Sequence, residues 1–178
     1  MDDGFLIRQV LGGNRSAFRL LILRYQRPLF KFLGGFGIEQ AIAEELAQET
    51  FLRAYRSLSV FDSAKSAFST WLLTIAKRLA INETRRSRAR VVHVTIGDAA
   101  TEEPSAGEQL ESAQRSHRVR RALQGLPLAL RSAVVLAYMK EHTLAEIAAI
   151  ENCSIGAIKS RIHRGKGLLR IRLAGMEE

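Results

Sequence analysis

The stretch that decides the fold is residues 143–173, which read TLAEIAAIENCSIGAIKSRIHRGKGLLRIRL. Apolar residues recur at helical spacing on both sides of a short break at 151–153, and this pattern predicts two consecutive helices. Asn152 tolerates the left-handed backbone conformation that such a break needs. Ser154 is suited to cap the second helix. The stretch therefore predicts a helix-turn-helix, with Leu144, Ile147 and Ala148 packing from its first helix.

The second helix of this motif is apolar on one side and basic on the others. Its predicted buried stripe is Ile155, Ile158, Ile162 and Leu169, and its cations are Lys159, Arg161, His163, Arg164, Lys166, Arg170 and Arg172. No acidic residue lies between Asn152 and Met176. Such a helix suits the major groove of DNA, where Lys and Arg meet phosphates and guanine edges. A solvated basic helix in a generic bundle is the alternative interpretation.

The bulk composition also favours a nucleic-acid partner. The 178 residues carry a net charge of +9 and a pI near 10.4, which indicates a polyanionic partner, with nucleic acid preferred over anionic lipid. No uncharged apolar stretch approaches the ~20 residues that span a bilayer, and the acidic start of the chain is unlike a signal peptide. We therefore expect a cytoplasmic protein without direct membrane insertion.

The sequence favours neither an enzyme nor a metalloprotein. Its single cysteine, Cys153, excludes an internal disulfide and a cysteine-based zinc cluster. The four histidines are scattered, and no nucleophile–base pair or metal-ligand spacing emerges. We expect no catalytic residues, no metal and no cofactor.

The periodicity predicts an all-α chain of two small helical domains joined by a flexible acidic linker. Predicted helices cover about 5–11, 16–33, 40–57 and 67–88, and residues 34–37, GGFG, are expected to end the second. Residues 91–96 read as a short strand or an extended docking segment. Residues 97–111 are rich in Asp and Glu with few bulky apolar residues, which is typical of a linker. We place the domains at 1–90 and 116–178, and the linker at 91–115.

Aromatic residues and cations are interleaved around the fourth predicted helix. Such a mixture can hold unstacked bases and a single-stranded backbone. Phe68 and Trp71 are expected to be core residues. Phe61, in a loop rich in Ser, Asp and Lys, is the better candidate for touching a base.

Both predicted domains resemble extracytoplasmic-function (ECF) sigma factors, and their motif sequences are most similar to those of the envelope-stress, RpoE-like members. The motifs similar to sigma region 2 are Ala17-Phe18 with Tyr25, residues 44–56 (EELAQETFLRAYR) and residues 68–76 (FSTWLLTIA). Those similar to region 4 are Leu126-Pro127 with Arg131, Glu146-Ile147-Ala148 and residues 156–164 (GAIKSRIHR). The resemblance covers nearly the whole chain apart from the linker.

The resemblance implies a bacterial transcription initiation factor that binds core RNA polymerase, directs it to specific promoters in a stress response, and is controlled by an anti-sigma factor. The residues it implies for the −35 element are Ser154, Lys159, Ser160, Arg161, His163, Arg164 and Lys166. Those for the −10 element are Phe61, Ser63, Lys65, Lys77, Arg78, Arg85 and Arg86. Those for polymerase are Glu45, Gln48, Glu49 and Arg53, for which a solvated face with a Glu49–Arg53 pair is the alternative.

A stand-alone helix-turn-helix regulator is the alternative function. It explains the C-terminal block but leaves the patterns at 44–56 and 68–76 without a role. A regulator binds duplex DNA alone, whereas a sigma factor needs core polymerase.

Overall fold

The computed structural model describes residues 2–93, 117–139 and 142–176, and for 88–93 it describes the backbone alone. These residues form helices and no strand, so the all-α prediction is confirmed. The helices are α1 (Asp3–Leu11), α2 (Ser16–Gly35), α3 (Gln40–Arg56), α4 (Phe68–His93), α5 (described over 117–124), α6 (Leu128–Met139), α7 (Leu144–Glu151) and α8 (Ile155–Ala174). A short 3-10 helix, Leu58–Val60, precedes the loop that leads into α4.

The first half, α1 to α4, surrounds an apolar core built from one face of each helix. Leu29, Phe32 and Leu72 are almost completely buried there. The Phe18 ring meets Phe51 and Tyr55 edge-on at centroid distances of 6.5 and 5.0 Å. Burial of a large apolar side chain contributes about 1.5–3 kcal/mol, so these residues hold the four helices together.

Helix α2 ends within the glycine run at 34–37, as the sequence predicts, but at Gly35 rather than at about residue 33. Gly34 and Gly35 are the last two residues of α2, Phe36 is its C-cap, and within the run only Gly37 has a positive φ, of +71°. A Cβ on Gly35 would lie 2.6 Å from both Cγ atoms of Val135 on α6. Gly35 is therefore needed for the close packing of α2 on α6, a role that its position in the sequence does not reveal.

Helix α4 is longer than predicted. It continues to His93, so residues 91–93 form its last turn and the extended segment expected from Val91 does not begin there. The rest of that segment and the acidic linker lie outside the described residues. Phe68 is buried as expected, whereas Trp71 is only half-buried.

The second half packs α6, α7 and α8 around Leu136, Ile147 and Ile158. The predicted stripe of α8 is wrong at its first member, because Ile155 is 44% exposed. Ile158 and Gly165 are the buried residues of α8. Ile155 lies about 60° around the helix from Ile158, at a rotation of about 100° per residue, and so falls at the edge of the packed face.

The two halves lie against each other, α2 on α6 and α4 on α7. Arg131 of α6, only 1% exposed, is central to this contact. Its Nη1 donates to the Phe36 carbonyl at 2.8 Å, and its Nη2 donates to the carbonyls of Leu126, at 3.1 Å, and Gln124. Because helix C-termini carry partial negative charge, this cation stabilises the ends of α2 and α5 together.

Candidate nucleic-acid interface

The turn between α7 and α8 has the geometry that the sequence predicts. Asn152 adopts the left-handed conformation, with φ 51° and ψ 53°. The Ala157 backbone N–H donates to Ser154 Oγ at 3.2 Å, so Ser154 caps α8. Cys153, half-buried, donates its backbone N–H to the Ala148 carbonyl at 3.1 Å. These contacts fix the angle at which α8 leaves α7.

Helix α7 begins with a capping box that the sequence analysis missed. The Thr143 backbone N–H donates to Glu146 Oε2 at 2.7 Å, and the Glu146 backbone N–H donates to Thr143 Oγ1 at 3.2 Å. The hydrogen bond from the Thr143 backbone lowers the pKa of Glu146. The T-x-x-E spacing before an apolar run is a recognisable signal for this motif.

Helix α8 presents most of its candidate DNA-contacting residues to solvent. The exposed ones are Ser154, Lys159, Ser160, His163, Arg164 and Lys166. Lys166 Nζ lies 5.2 Å from the centre of the Tyr138 ring, a distance suited to a cation–π contact. Arg161 differs from the rest because its Nη1 lies 3.2 Å from the Glu151 carboxylate. Helix α8 thus has an exposed cationic face, but Arg161 is paired with Glu151 instead of pointing into solvent with the other cations.

The loop before α4 carries three of the candidate −10 residues. Ser63 and Lys65 are exposed, and Phe61 is half-buried. The Phe61 ring packs against Phe68 at 5.7 Å and Trp71 at 5.1 Å between centroids. One side of Phe61 is therefore held in an aromatic cluster while part of it remains accessible.

Asp62 organises this loop. Its side-chain Oδ1 accepts from the Ala64 backbone N–H at 2.9 Å, and its carbonyl accepts from the Lys65 N–H at 3.1 Å. Its Oδ2 also lies 3.4 Å from Lys65 Nζ. The loop is thus folded around a single carboxylate.

The four candidate cations on α4 do not share one environment. Arg78, Arg85 and Arg86 are exposed, with Arg86 Nη1 3.6 Å from the Glu83 carboxylate. Lys77 instead points at α7, where its Nζ donates to the Ile150 carbonyl at 2.8 Å. The structure therefore separates Lys77 from the exposed arginines.

Helix α3 places the candidate polymerase-contacting residues on its outer side. Glu45, Gln48 and Arg53 are exposed, and Glu49 is half-buried. Arg53 Nε donates to Glu49 Oε1 at 2.6 Å, as the i, i+4 spacing predicts. The remaining carboxylate, Glu45, gives this basic protein an acidic exposed position.

Glu151, the last residue of α7, is a second feature that the sequence analysis missed. Its side chain is 4% exposed and contacts Arg161, Lys77 and the Ser132 hydroxyl, which donates to it. A local signal was present, because Glu151 is the last acid before the long basic stretch. Its cationic partner Lys77 is remote in sequence, and no local pattern reveals that pairing.

Two other properties bear on the kind of site. Among the described residues, no cluster of three or more His, Cys, Asp or Glu side chains could hold a metal ion. Within the same ranges, no helix combines the length and the apolar character needed to cross a membrane. The surfaces identified above are those of helices and one loop, with cations as their main functional groups.

Comparison with known protein families matches both halves of the chain. The model for sigma-70 region 2 matches residues 21–90, and the model for sigma-70 region 4 matches residues 116–169. Among curated relatives, the RNA polymerase sigma-H factor of Pseudomonas aeruginosa is 34% identical over 93% of this chain and 90% of its own length. The ECF RNA polymerase sigma factor SigW of Bacillus subtilis is 32% identical over 94% of both proteins.

Solved structures share the architecture. CnrH, in complex with the cytosolic domain of CnrY, has a TM-score of 0.72 at 24% identity, over 97% of both chains. The sigma factor RpoE of Bartonella quintana, in complex with the anti-sigma factor NepR, has a TM-score of 0.67 at 27% identity. That alignment covers 88% of this chain and 96% of the other.

Proposed function

Since the chain belongs to the ECF sigma factors of the sigma-70 family, we propose that its two halves contact separate promoter elements on core RNA polymerase. The second half, 116–178, reads the −35 element with α8. The first half, 1–90, binds polymerase and opens the −10 element with the loop at 61–66 and α4. Residues 91–115 connect the two. The chain is a transcription initiation factor, and no catalytic step is assigned to it.

The observation that carries this proposal is the exposed cationic face of α8 behind a capped turn. Lys159 and Arg164 are exposed on that helix, whose start is fixed by Ser154 and Asn152. Major-groove recognition needs a rigid helix with side chains that reach base edges, together with cations that anchor phosphates. The exposed cations and the capped start of α8 support this role.

The −10 element makes a different demand, because its strands must be separated. Unstacking a base costs a few kcal/mol, and contacts to the extruded base and the single-stranded backbone must offset that cost. Phe61 offers a partly accessible aromatic ring, and Arg78, Arg85 and Arg86 supply exposed cations along α4. This division supports duplex reading by one half and single-strand capture by the other.

We assign polymerase binding to the outer face of α3, through Glu45, Gln48, Glu49 and Arg53. The Glu49–Arg53 pair fixes two of these side chains, and Glu45 adds an exposed carboxylate. An acidic position on a protein of net charge +9 suits a protein partner better than DNA. An anti-sigma factor is the further partner, as in the RpoE–NepR complex. The cytoplasm, where polymerase acts, is the proposed location.

The decisive experiment is run-off transcription with core RNA polymerase, on promoters found by sequencing transcripts after overexpression. The chain is expected to support initiation with core polymerase and to shift promoter duplex only weakly by itself. Tight duplex binding without polymerase, with no effect on start-site choice, would favour the stand-alone regulator instead.

Two charge reversals test the assignment of α3. Glu45→Lys is expected to lower the affinity for core polymerase at least about tenfold, with a matching loss of co-elution, because repulsion then replaces attraction at the contact. Glu39→Lys makes the same change at the exposed residue just before α3 and serves as the matched control. An equal loss of polymerase affinity in both variants would show that the outer face of α3 does not contact polymerase.

A further inference from the structure

The strongest feature outside the proposed contacts is the junction around Glu151. Building on the proposed function, we propose that the chain without polymerase closes on itself and that Glu151 is the latch. Its buried carboxylate binds one cation from each candidate DNA surface, Lys77 of α4 and Arg161 of α8. Lys77 is withheld from DNA until the two halves separate, and Arg161 is withheld until Glu151 releases it.

The geometry of the latch is asymmetric. Oε2 of Glu151 lies 3.2 Å from Arg161 Nη1, a contact within the second half. Oε1 lies 3.5 Å from Lys77 Nζ, a contact between the halves, and it also accepts from the Ser132 hydroxyl. Lys77 makes a second bond across the junction, to the Ile150 carbonyl at 2.8 Å. One carboxylate thus links α4 to both helices of the helix-turn-helix.

A carboxylate in this position competes directly with a DNA phosphate. Both groups offer anionic oxygens to the same Lys and Arg donors. The side chains of Lys77 and Arg161 are 13% and 26% exposed in the closed arrangement. Lys77 in particular is covered by α7, so it reaches a phosphate only after α7 moves away from α4.

A second contact area makes the closed arrangement specific. At the end of α2, Gly35 receives the Val135 side chain, with no room for a Cβ. The Gly37 carbonyl accepts from Gln124 Nε2 at 2.7 Å, and the Phe36 carbonyl accepts from Arg131 Nη1 at 2.8 Å. The glycine run at 34–37 therefore forms a packing site for α5 and α6, which we call the socket. The latch lies at the other contact between the halves, where α4 meets α7.

A reversible disulfide across the socket tests whether the closed form blocks function. The variant is Gly35→Cys with Val135→Cys in a Cys153→Ala background. An ideal Cβ on Gly35 lies 3.2 Å from Val135 Cβ, so a shift of a few tenths of an ångström reaches normal disulfide geometry. The free chain is expected to cross-link under mild oxidation and to lose at least about tenfold in run-off transcription, since binding then has no open population to select. Reductant restores the activity, and the Cys153→Ala background treated in the same way stays active.

The outcomes of the disulfide test separate the two proposals. Failure to cross-link in the free chain, or full activity of the cross-linked protein, would overturn the latch while leaving the proposed function intact. If the unmodified chain and the reduced variant are both inactive with core polymerase, the proposed function fails. Fluorescence anisotropy of a labelled duplex, with oxidised and reduced protein, then decides the latch by itself: weaker binding by the oxidised form supports it, and equal binding overturns it.

A charge-neutralising variant tests Glu151 directly. Glu151→Gln keeps the side-chain shape and removes the charge, and it is expected to raise polymerase-independent duplex affinity at least about threefold by shifting the population towards the open form. Glu39→Gln makes the same change in net charge at an exposed position and is the matched control. An equal rise in both variants would show a net-charge effect and overturn the latch. The disulfide test remains available should Glu151→Gln fold poorly.

Discussion

Replacing Arg131 with methionine tests how the two halves are held together. Methionine keeps an unbranched apolar side chain at this buried position but removes the donors that reach the carbonyls of Phe36, Gln124 and Leu126. A hydrogen bond to a charged group contributes about 1.5–3 kcal/mol. Three such bonds set an upper limit, from which the desolvation of the buried guanidinium must be subtracted. We therefore expect Arg131→Met to lower the free energy of unfolding by about 3–4 kcal/mol.

Urea unfolding with two probes measures this loss and locates it. Trp71 is the single tryptophan, so its fluorescence reports on the first half, whereas far-UV circular dichroism reports on all helices. Two of the three carbonyls lie in the second half, and the dichroism transition should therefore shift to lower urea more than the fluorescence transition. Arg131→Lys keeps the charge but lacks the planar fork, so its free energy of unfolding should lie between those of the parent chain and Arg131→Met. A loss below about 1 kcal/mol in Arg131→Met would refute the assignment of Arg131 to the ends of α2 and α5.

Three further predictions address the DNA surfaces and the helix-turn-helix. Arg164→Ala is expected to lower the slope of log affinity against log salt concentration, for promoter binding by the polymerase complex, by about one, as for one lost phosphate contact. Arg161→Ala is expected to lower it by a similar amount only if Glu151 releases Arg161 in the complex. An unchanged slope would show that the residue does not contact DNA. Phe61→Ala should slow promoter opening, as measured by permanganate reactivity, without loss of polymerase binding. Phe61→Leu keeps the apolar bulk but has no aromatic face, so it should open the promoter equally slowly if stacking is the cause. Thr143→Ala should destabilise the second half by about 1 kcal/mol. Because the pKa of Glu146 is lowered in the folded state, the stability that its ionised carboxylate contributes is present above the ordinary pKa of glutamate and disappears as the pH falls through the lowered value. Thermal unfolding of the parent chain and of Glu146→Gln from pH 7 to pH 3 checks this, and a Glu146→Gln loss that does not shrink at low pH would contradict it.

The features that the sequence predicted are those governed by local rules. The left-handed turn at Asn152 and the cap at Ser154 depend on neighbours within four residues, and both are present in the structure. The Glu49–Arg53 pair follows from helical spacing in the same way. Helix periodicity also predicted the burial of Ile147, Ala148 and Ile158, because one face of each amphipathic helix must be buried. It was wrong for Leu144, which is 38% exposed.

The features that sequence reasoning missed depend on residues distant in the chain. Gly35 reads as a helix stop by itself, and only its contact with Val135, one hundred residues later, shows that it is a packing position. Lys77 reads as one more cation on α4 until α7 is placed beside it. Ile155 fits the apolar period of α8 but falls at the edge of the packed face. Such errors arise because periodicity gives the face of a helix but not the partner that covers it.

The hydrogen bonds that Asp62 accepts have a consequence for the energetics of base capture. Fixing the backbone of a flexible residue costs about 1–2 kcal/mol in conformational entropy. The turn around Asp62 already constrains Ala64 and Lys65 before DNA arrives, so that cost is met when the protein folds. A preorganised loop of this kind leaves the DNA strand as the main component that must rearrange, and it makes the rate of opening sensitive to the stacking strength of the promoter sequence itself.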